Sequence, residues 1–334
     1  MLPEISIAFQ TDKSATHYVA LARLVDQYDF DVVSVYCDAP FHPSYGPLLL
    51  MAPHIKRAQL GPAAISPSRM HPIDISAQTA LLAQLAEGGV YVGLARGAWL
   101  DDHGIREIKP PLQAIRETAE IVQYLLSGAK GGYSGEVFRL AEQVRAPYPL
   151  PNSPIPLLIG TWGPKMCALA GEIANVVKIG GSANPDVLPI IQSYITTGEK
   201  RAGRDPGTVR IAIGAVSVID EDRDQARAAA RRSVALYMPI VVELDPTITI
   251  DPELVGRVRH HVHHNEYDLA GRLISDDLLD RFAFSGTPAD IIRQTERLVE
   301  AGASRVEFGT PHGLDPETGI RLLGEKVIPA LKSR

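Results

Sequence analysis

Short apolar runs alternate along this chain with longer amphipathic stretches. Glu4–Phe9 (EISIAF), Phe30–Tyr36 (FDVVSVY), Ala58–Ile65 (AQLGPAAI) and Gly88–Ala95 (GGVYVGLA) read as buried strands. So do Pro154–Gly160, Ala174–Gly181, Val209–Ile219 and Arg305–Thr310. The patterns between them predict helices over Ala15–Tyr28, Pro72–Glu87, Pro111–Leu126, Pro164–Ala170 and Asp186–Ala202, then long helices after Ile219 and a last one ending near Leu331. Phe282–Gly286 reads as a short strand-like lead into a helix opened by Thr287-Pro288, with the threonine as cap. Near-continuous apolar strands separated by helices imply a parallel sheet covered on its outer face. Eight such units predict an α/β fold, a (β/α)8 TIM barrel in which residues 1–334 form a single domain; a doubly wound open sheet is the rival. Two segments exceed a minimal barrel. Residues 130–154, rich in Gly and Pro, predict a hairpin or long loop, and residues 244–279 an acidic, histidine-rich helical excursion. Insertions at strand ends shape binding mouths.

Most strands end in small residues: GPAAISP, GLARGAW, GTWGP, KIGGSANP and FGTPHG. The C-terminal ends of barrel strands are where catalytic groups converge. Glycine and alanine there let a flat ligand lie against backbone, and glycines before a helix leave its first N–H groups free for an anion. Residues 93–97 are thus expected to clear space for a planar ring, with Arg96 meeting an anionic part of the ligand; the bland alternative is a set of turn glycines.

Composition narrows the classes. Apolar content of 45% and charged content of 22% are those of a soluble globule, and a net charge of −6 argues against a nucleic-acid partner. No apolar run approaches the roughly 20 residues that span a bilayer, and no basic leader with an apolar core opens the chain, so a cytoplasmic, membrane-free protein is expected. Cys37 and Cys167 suggest neither a disulfide framework nor a zinc site and read as small core residues. No Gly-x-Gly-x-x-Gly follows the first strand, GTWGPKM lacks the ending of a phosphate loop, and no Gly-x-Ser-x-Gly elbow occurs. In RHHVHHNE, His260 and His264 lie one helical turn apart without a glutamate between them, which reads as a solvated helix face or a lid rather than a metal site. Lys178 is a charge inside an apolar strand. It is a candidate for binding an acidic substrate or cofactor, or else it bridges to a core carboxylate such as Glu307.

The segments LGPAAISPSRMHP, VGLARGAWLDDHGI, GTWGPKMCALAGEIANVVKIGG and FSGTPADII…VEFGTPHGLDPETGIRLLGEKVIP together resemble the bacterial-luciferase-like flavin and deazaflavin oxidoreductases. Among these they look most like the F420-dependent methylenetetrahydromethanopterin reductases. The resemblance implies a luciferase-like TIM barrel with insertions, working as a homodimer. It implies F420 (alternatively FMN) at the barrel mouth, against a bulge with a non-prolyl cis peptide that falls at Ala63–Ala64, with Ser66 beside the ring or its ribityl chain. It places Asp38 at the ring edge, Asp101 where related enzymes have an asparagine, and the Trp162–Gly163 backbone at the ribityl-phosphate region. Two departures stand out. Ala39 replaces a histidine that several F420 dehydrogenases use as a base, and Ala8 replaces a glutamate of the reductases, with Gln10 nearby. Asp38, Gln10 and Lys178 remain as catalytic candidates. The function implied is hydride transfer between the deazaflavin C5 and a small organic substrate. The alternatives are an FMN-dependent monooxygenase and a non-catalytic flavin- or F420-binding protein.

Overall fold

A computed structural model describes residues 2–333. In chain order its elements are β1 (Glu4–Phe9), α1 (Ala15–Val25), β2 (Val32–Val35), α2 (Tyr45–Met51), β3 (Gln59–Pro62), α3 (Pro72–Leu85), β4 (Val92–Ala95) and α4 (Pro111–Leu126). A two-stranded antiparallel hairpin, β5 (Tyr133–Ser134) and β6 (Arg139–Leu140), leads to β7 (Leu157–Gly160), α5 (Pro164–Ile173), β8 (Val176–Gly180), α6 (Leu188–Arg201), β9 (Arg210–Ile219) and α7 (Arg223–Ala235). Then come α8 (Met238–Leu244), α9 (Pro252–His263), α10 (Tyr267–Arg272), α11 (Asp276–Phe282), β10 (Ala283–Gly286), α12 (Pro288–Glu300), β11 (Arg305–Gly313), α13 (Pro316–Leu322) and α14 (Ile328–Lys332).

The parallel order is β3-β2-β1-β11-β9-β8-β7-β4. Isolated parallel bridges Leu60–Val90 and Ile65–Leu94 join β3 to β4 and close the ring, so the barrel holds and the open-sheet rival does not. The expected strand-like run at Phe282–Gly286 becomes β10, which pairs with the far end of β9 and not with the ring. Thr287 caps α12 as the sequence led one to expect, and Asp290 completes a reciprocal capping box that it did not.

Alternation along the strands divides the core in two. Ile5, Ile7 and Phe9 of β1, Val33 and Val35 of β2, and Val306 and Phe308 of β11 pack outward under the helices. Val32, Tyr91, Leu158, Val176 and Ala212 cluster inside the barrel. Strands buried on both faces read as continuous apolar runs, which is why they were visible in the sequence.

The insertions are tied down by buried polar groups. Glu117, mid-helix in α4, accepts hydrogen bonds from the backbone N–H groups of Glu136, Val137 and Phe138 and so anchors the hairpin. Helices α7–α11 share an apolar cluster of their own, centred on Met238, Val258, Leu279 and Phe282. Buried Asn184, just past β8, donates to Asp245 (2.9 Å) and Thr247 (2.8 Å), fastening this excursion to the barrel rim. Helix α2 was not foreseen. Its Pro47 falls in the first turn, where a missing N–H breaks no helical bond.

Candidate active site

In β2 the parity that turns Val33 and Val35 outward turns Val32, Ser34 and Tyr36 into the barrel. Ser34 donates to Glu307 Oε2 (2.6 Å) and shares a hydrogen bond with the Tyr91 hydroxyl (2.8 Å), which also reaches Gly61 O. Lys178 closes this network as an ion pair with Glu307. Its side chain is 8% exposed, and a cation so buried is tolerable only when paired. The bridge to Glu307 is therefore the reading that holds for Lys178, and the expectation of a cation free to meet a substrate or cofactor is corrected.

The glycines of the barrel interior also need correction. A Cβ on Gly61 would stand 2.5 Å from the Tyr91 ring, and one on Gly214 2.8 Å from Glu307 Cβ. A Cβ on Gly309 would collide with the Tyr36 hydroxyl, and one on Gly97 (φ +100°) would sit 3.0 Å from Ser66. These small residues make room for the protein's own side chains. Gly163 and Gly180 instead face open space, and a Cβ on Gly160 would meet the methyl groups of Ala95 (3.4 Å) and Ala64 (3.8 Å) and Leu94 O (3.9 Å), all at ordinary contact distance.

The mouth thus has two unlike halves. Over β3, β4 and β7 lie Ala63, Ala64, Ala95 and Gly160. The Ala63–Ala64 peptide is cis, where the resemblance placed it. Ala63 N–H donates to Val35 O and Ile65 N–H to Gly93 O, both at 2.8 Å, so the bulge is held by the strands on either side. Over β1 and β2 lie Gln10 and Asp38. Gln10 Nε2 donates to Asp38 Oδ2 (3.0 Å) while its Oε1 accepts from Thr11 N–H (2.9 Å), which fixes the amide's orientation. Tyr36 stands beside them with its ring 5.0 Å from the Lys178 ammonium. Burial, then the charges of Glu307 and Asp38, hold its phenol well above the usual tyrosine range, so the hydroxyl keeps its proton. Arg69 reaches from the loop after β3 to Cys37 O.

The remaining candidates are placed less simply. Ser66 is buried and donates to Arg96 O (2.6 Å), so its hydroxyl holds two mouth loops together. Arg96 pairs with Glu107, which also takes Lys109, and that contact raises the guanidinium's pKa further while lowering the carboxyl's. The guanidinium is engaged by this ion pair while remaining largely exposed. Asp101 lies exposed in a single 3-10 turn. Trp162 donates from Nε1 to Gly180 O (3.1 Å) and packs between the barrel core and the α7–α11 cluster; Gly163, next to it, opens α5 without a side-chain cap.

Burial pushes the Cys167 thiol up to about 12, which removes it as a nucleophile at neutral pH. Along α9, His261 contacts Glu266 (2.7 Å) and His264 contacts His260 O; among the described residues no group of three or more side chains is arranged to hold a metal ion. Sequence reasoning missed Tyr36 and Arg69. Tyr36 was within reach, since parity from Val32 through Ser34 points it inward. Nothing local marks Arg69.

Comparisons with known proteins agree with this architecture. Residues 2–305 match the family model described as luciferase-like monooxygenase. The 5,10-methylenetetrahydromethanopterin reductase of Archaeoglobus fulgidus is 28% identical, the alignment covering 98% of this chain and 100% of that one. An F420-dependent glucose-6-phosphate dehydrogenase of Microbacterium testaceum is 25% identical over 84% of this chain and 80% of its own length. The solved coenzyme F420-dependent tetrahydromethanopterin reductase of Methanopyrus kandleri superposes with a TM-score of 0.90 at 26% identity, covering 99% of this chain and 100% of that one. An F420-dependent secondary alcohol dehydrogenase shares the fold, with a TM-score of 0.81 at 21% identity over 99% and 100% of the two chains. With a closed parallel barrel, a cis bulge after its third strand and a family match over most of its length, this chain belongs to the luciferase-like monooxygenase family.

Proposed function

We propose that this protein is an F420-dependent oxidoreductase that reduces a methylene-bridged tetrahydropterin or a chemically similar small substrate. The observation that carries the reading is the divided mouth, found in a chain alignable end to end with the reductases. Ala63, Ala64, Ala95 and Gly160 present nothing larger than a methyl group, which fits the flat face of a deazaflavin. The open approach at Gly163, beside Trp162, suits the ribityl-phosphate region. When bound, F420 would supply a hydride at C5 of its ring. The chain's own contribution is positioning. Gln10 holds Asp38 in one orientation at the edge of the small-residue floor, and the helical excursion fastened through Asn184 and Asp245 walls the rim. With Ala8 and Ala39 where the resemblance leads one to expect a glutamate and a histidine, rate enhancement rests on orientation and water exclusion, and stacking two flat reactants in one mouth supplies that.

FMN in the same mouth is the second reading, favoured by the family to which the chain belongs. Side-by-side titration of the apo-protein decides between them: F420 should bind at least tenfold more tightly than FMN, and the reverse order would replace the proposal. Oxidation of reduced F420 by 5,10-methylenetetrahydromethanopterin, followed by absorbance, tests the substrate. We also propose a single-domain homodimer in the cytoplasm. Leu50 on α2 and Leu81 and Leu85 on α3, two helices that pack together, are exposed and would suit a second copy. Among the described residues no helix is long and apolar enough to cross a membrane. Light scattering at micromolar concentration checks the dimer.

A further inference from the structure

Tyr36 is a mouth-facing side chain whose surroundings call for a ligand. Its backbone N–H donates to Phe9 O (2.9 Å), which continues the β1–β2 pairing and fixes its inward direction. The phenol lies across Gly309, where any Cβ would collide with the hydroxyl. Lys178 sits against the ring at 5.0 Å, itself locked to Glu307, which Ser34 also holds. The ring is therefore fixed on several sides by buried groups. The hydroxyl is not: it takes no hydrogen bond from or to any described residue, although the nearby Ser34, Tyr91 and Glu307 are all satisfied among themselves. A polar group held rigidly at a half-buried site with its own partner missing is what a preorganised ligand contact looks like.

The two halves of the mouth say which ligand. A ring seated on Ala64 and Gly160 covers β3, β4 and β7, whereas Tyr36 shares the opposite half with Gln10 and Asp38. We propose that the Tyr36 hydroxyl is a substrate-binding group that donates a hydrogen bond to a carbonyl oxygen or ring nitrogen of the substrate lying over the cofactor. The inference rests on the seating of F420 argued above. Tyr36 is thereby a specificity residue. It keeps its proton across the working pH range, so it favours substrates with an acceptor at that point over those with a donor or a methyl group.

Tyr36→Phe deletes only the unpartnered oxygen and leaves the ring, its lysine contact and the Gly309 crossing in place. Two titrations read it without turnover: F420 into apo-protein, and the methylated product 5-methyltetrahydromethanopterin into protein saturated with oxidised F420. The expected result is F420 affinity unchanged within about twofold and product affinity weakened by about tenfold or more. In steady state the loss should appear in KM for 5,10-methylenetetrahydromethanopterin, with an unchanged pH profile. Product affinity equal to wild type overturns the inference and leaves the proposed function standing. Weakened F420 affinity with normal product binding also overturns it, because the hydroxyl would then face the cofactor. Wild-type protein that binds no F420 overturns the proposed function, and the inference falls with it.

Discussion

The two halves of the barrel mouth are built on opposite principles. Over β3, β4 and β7 the protein withholds side chains: Ala63, Ala64, Ala95 and Gly160 make a flat floor held by backbone bonds from Ala63 and Ile65. Over β1, β2 and β11 it invests in them: Tyr36, Asp38 and Gln10 stand above a buried network of Ser34, Lys178, Glu307 and Tyr91. Glycine occurs in both, with opposite meaning. Gly160 adds no side chain to the floor, while Gly309 and Gly214 leave room for groups the chain already has. A flat face binds by area and shape; a polar half binds by direction. Each half should therefore fail in its own way.

The largest effect is expected under the polar half. Lys178→Met would leave Glu307 buried with Ser34 alone as partner. Removing one member of a buried pair costs about 3–5 kcal/mol, readable as a lower midpoint in urea denaturation. A midpoint within error of wild type would show the pair to be dispensable. In the flat half, Ala64→Trp should cost about 1–3 kcal/mol of unfolding free energy and weaken F420 binding by at least about 100-fold, since an indole beside Gly160 would occupy the seat of the ring. Retained affinity would move the ring elsewhere.

Acid separates the halves further. His312, at the end of β11, is buried and donates to Ala8 O, and burial lowers its pKa to about 3 from an ordinary value near 6.5. The unfolded chain therefore binds the proton first, so this contribution is complete above pH 6.5. It is lost as pH falls toward 3, at up to about 1.4 kcal/mol per pH unit. His312→Asn, which tolerates the positive φ of 76°, should flatten that part of the stability–pH curve. An unchanged slope would assign the acid sensitivity to other groups. The smallest effect belongs to Arg96→Ala. The guanidinium is 60% exposed and already paired with Glu107, so F420 affinity should change by less than about fivefold, on the scale of a surface ion pair. A larger loss in a calorimetric titration would restore it as a cofactor ligand.

How much of this was legible in the sequence differs between the halves for a physical reason. The eight barrel strands show as apolar runs because both faces are buried, and the small residues of GPAAISP mark the flat floor directly. Even there strand lengths were overread: β3 stops at Pro62 because the cis bulge begins, not at Ile65. The polar half depends on partners far apart in the chain. Lys178 is visible as an anomaly, but its bond to Glu307 spans 129 residues, and Tyr36 gains its meaning only when β11 brings Gly309 against it. Glu117 looks like an ordinary helix-surface acid until the hairpin folds back on it. Glycine patterns record that space is needed and not who fills it.

The account turns on where the ring sits, and a crystal structure of the protein with F420 bound measures that directly. It predicts the deazaflavin in van der Waals contact with Ala64 and Gly160, leaving the Tyr36 hydroxyl and the Gln10–Asp38 pair facing the space above it. A ring stacked over Gln10 and Asp38, with the alanine floor uncovered, would contradict it.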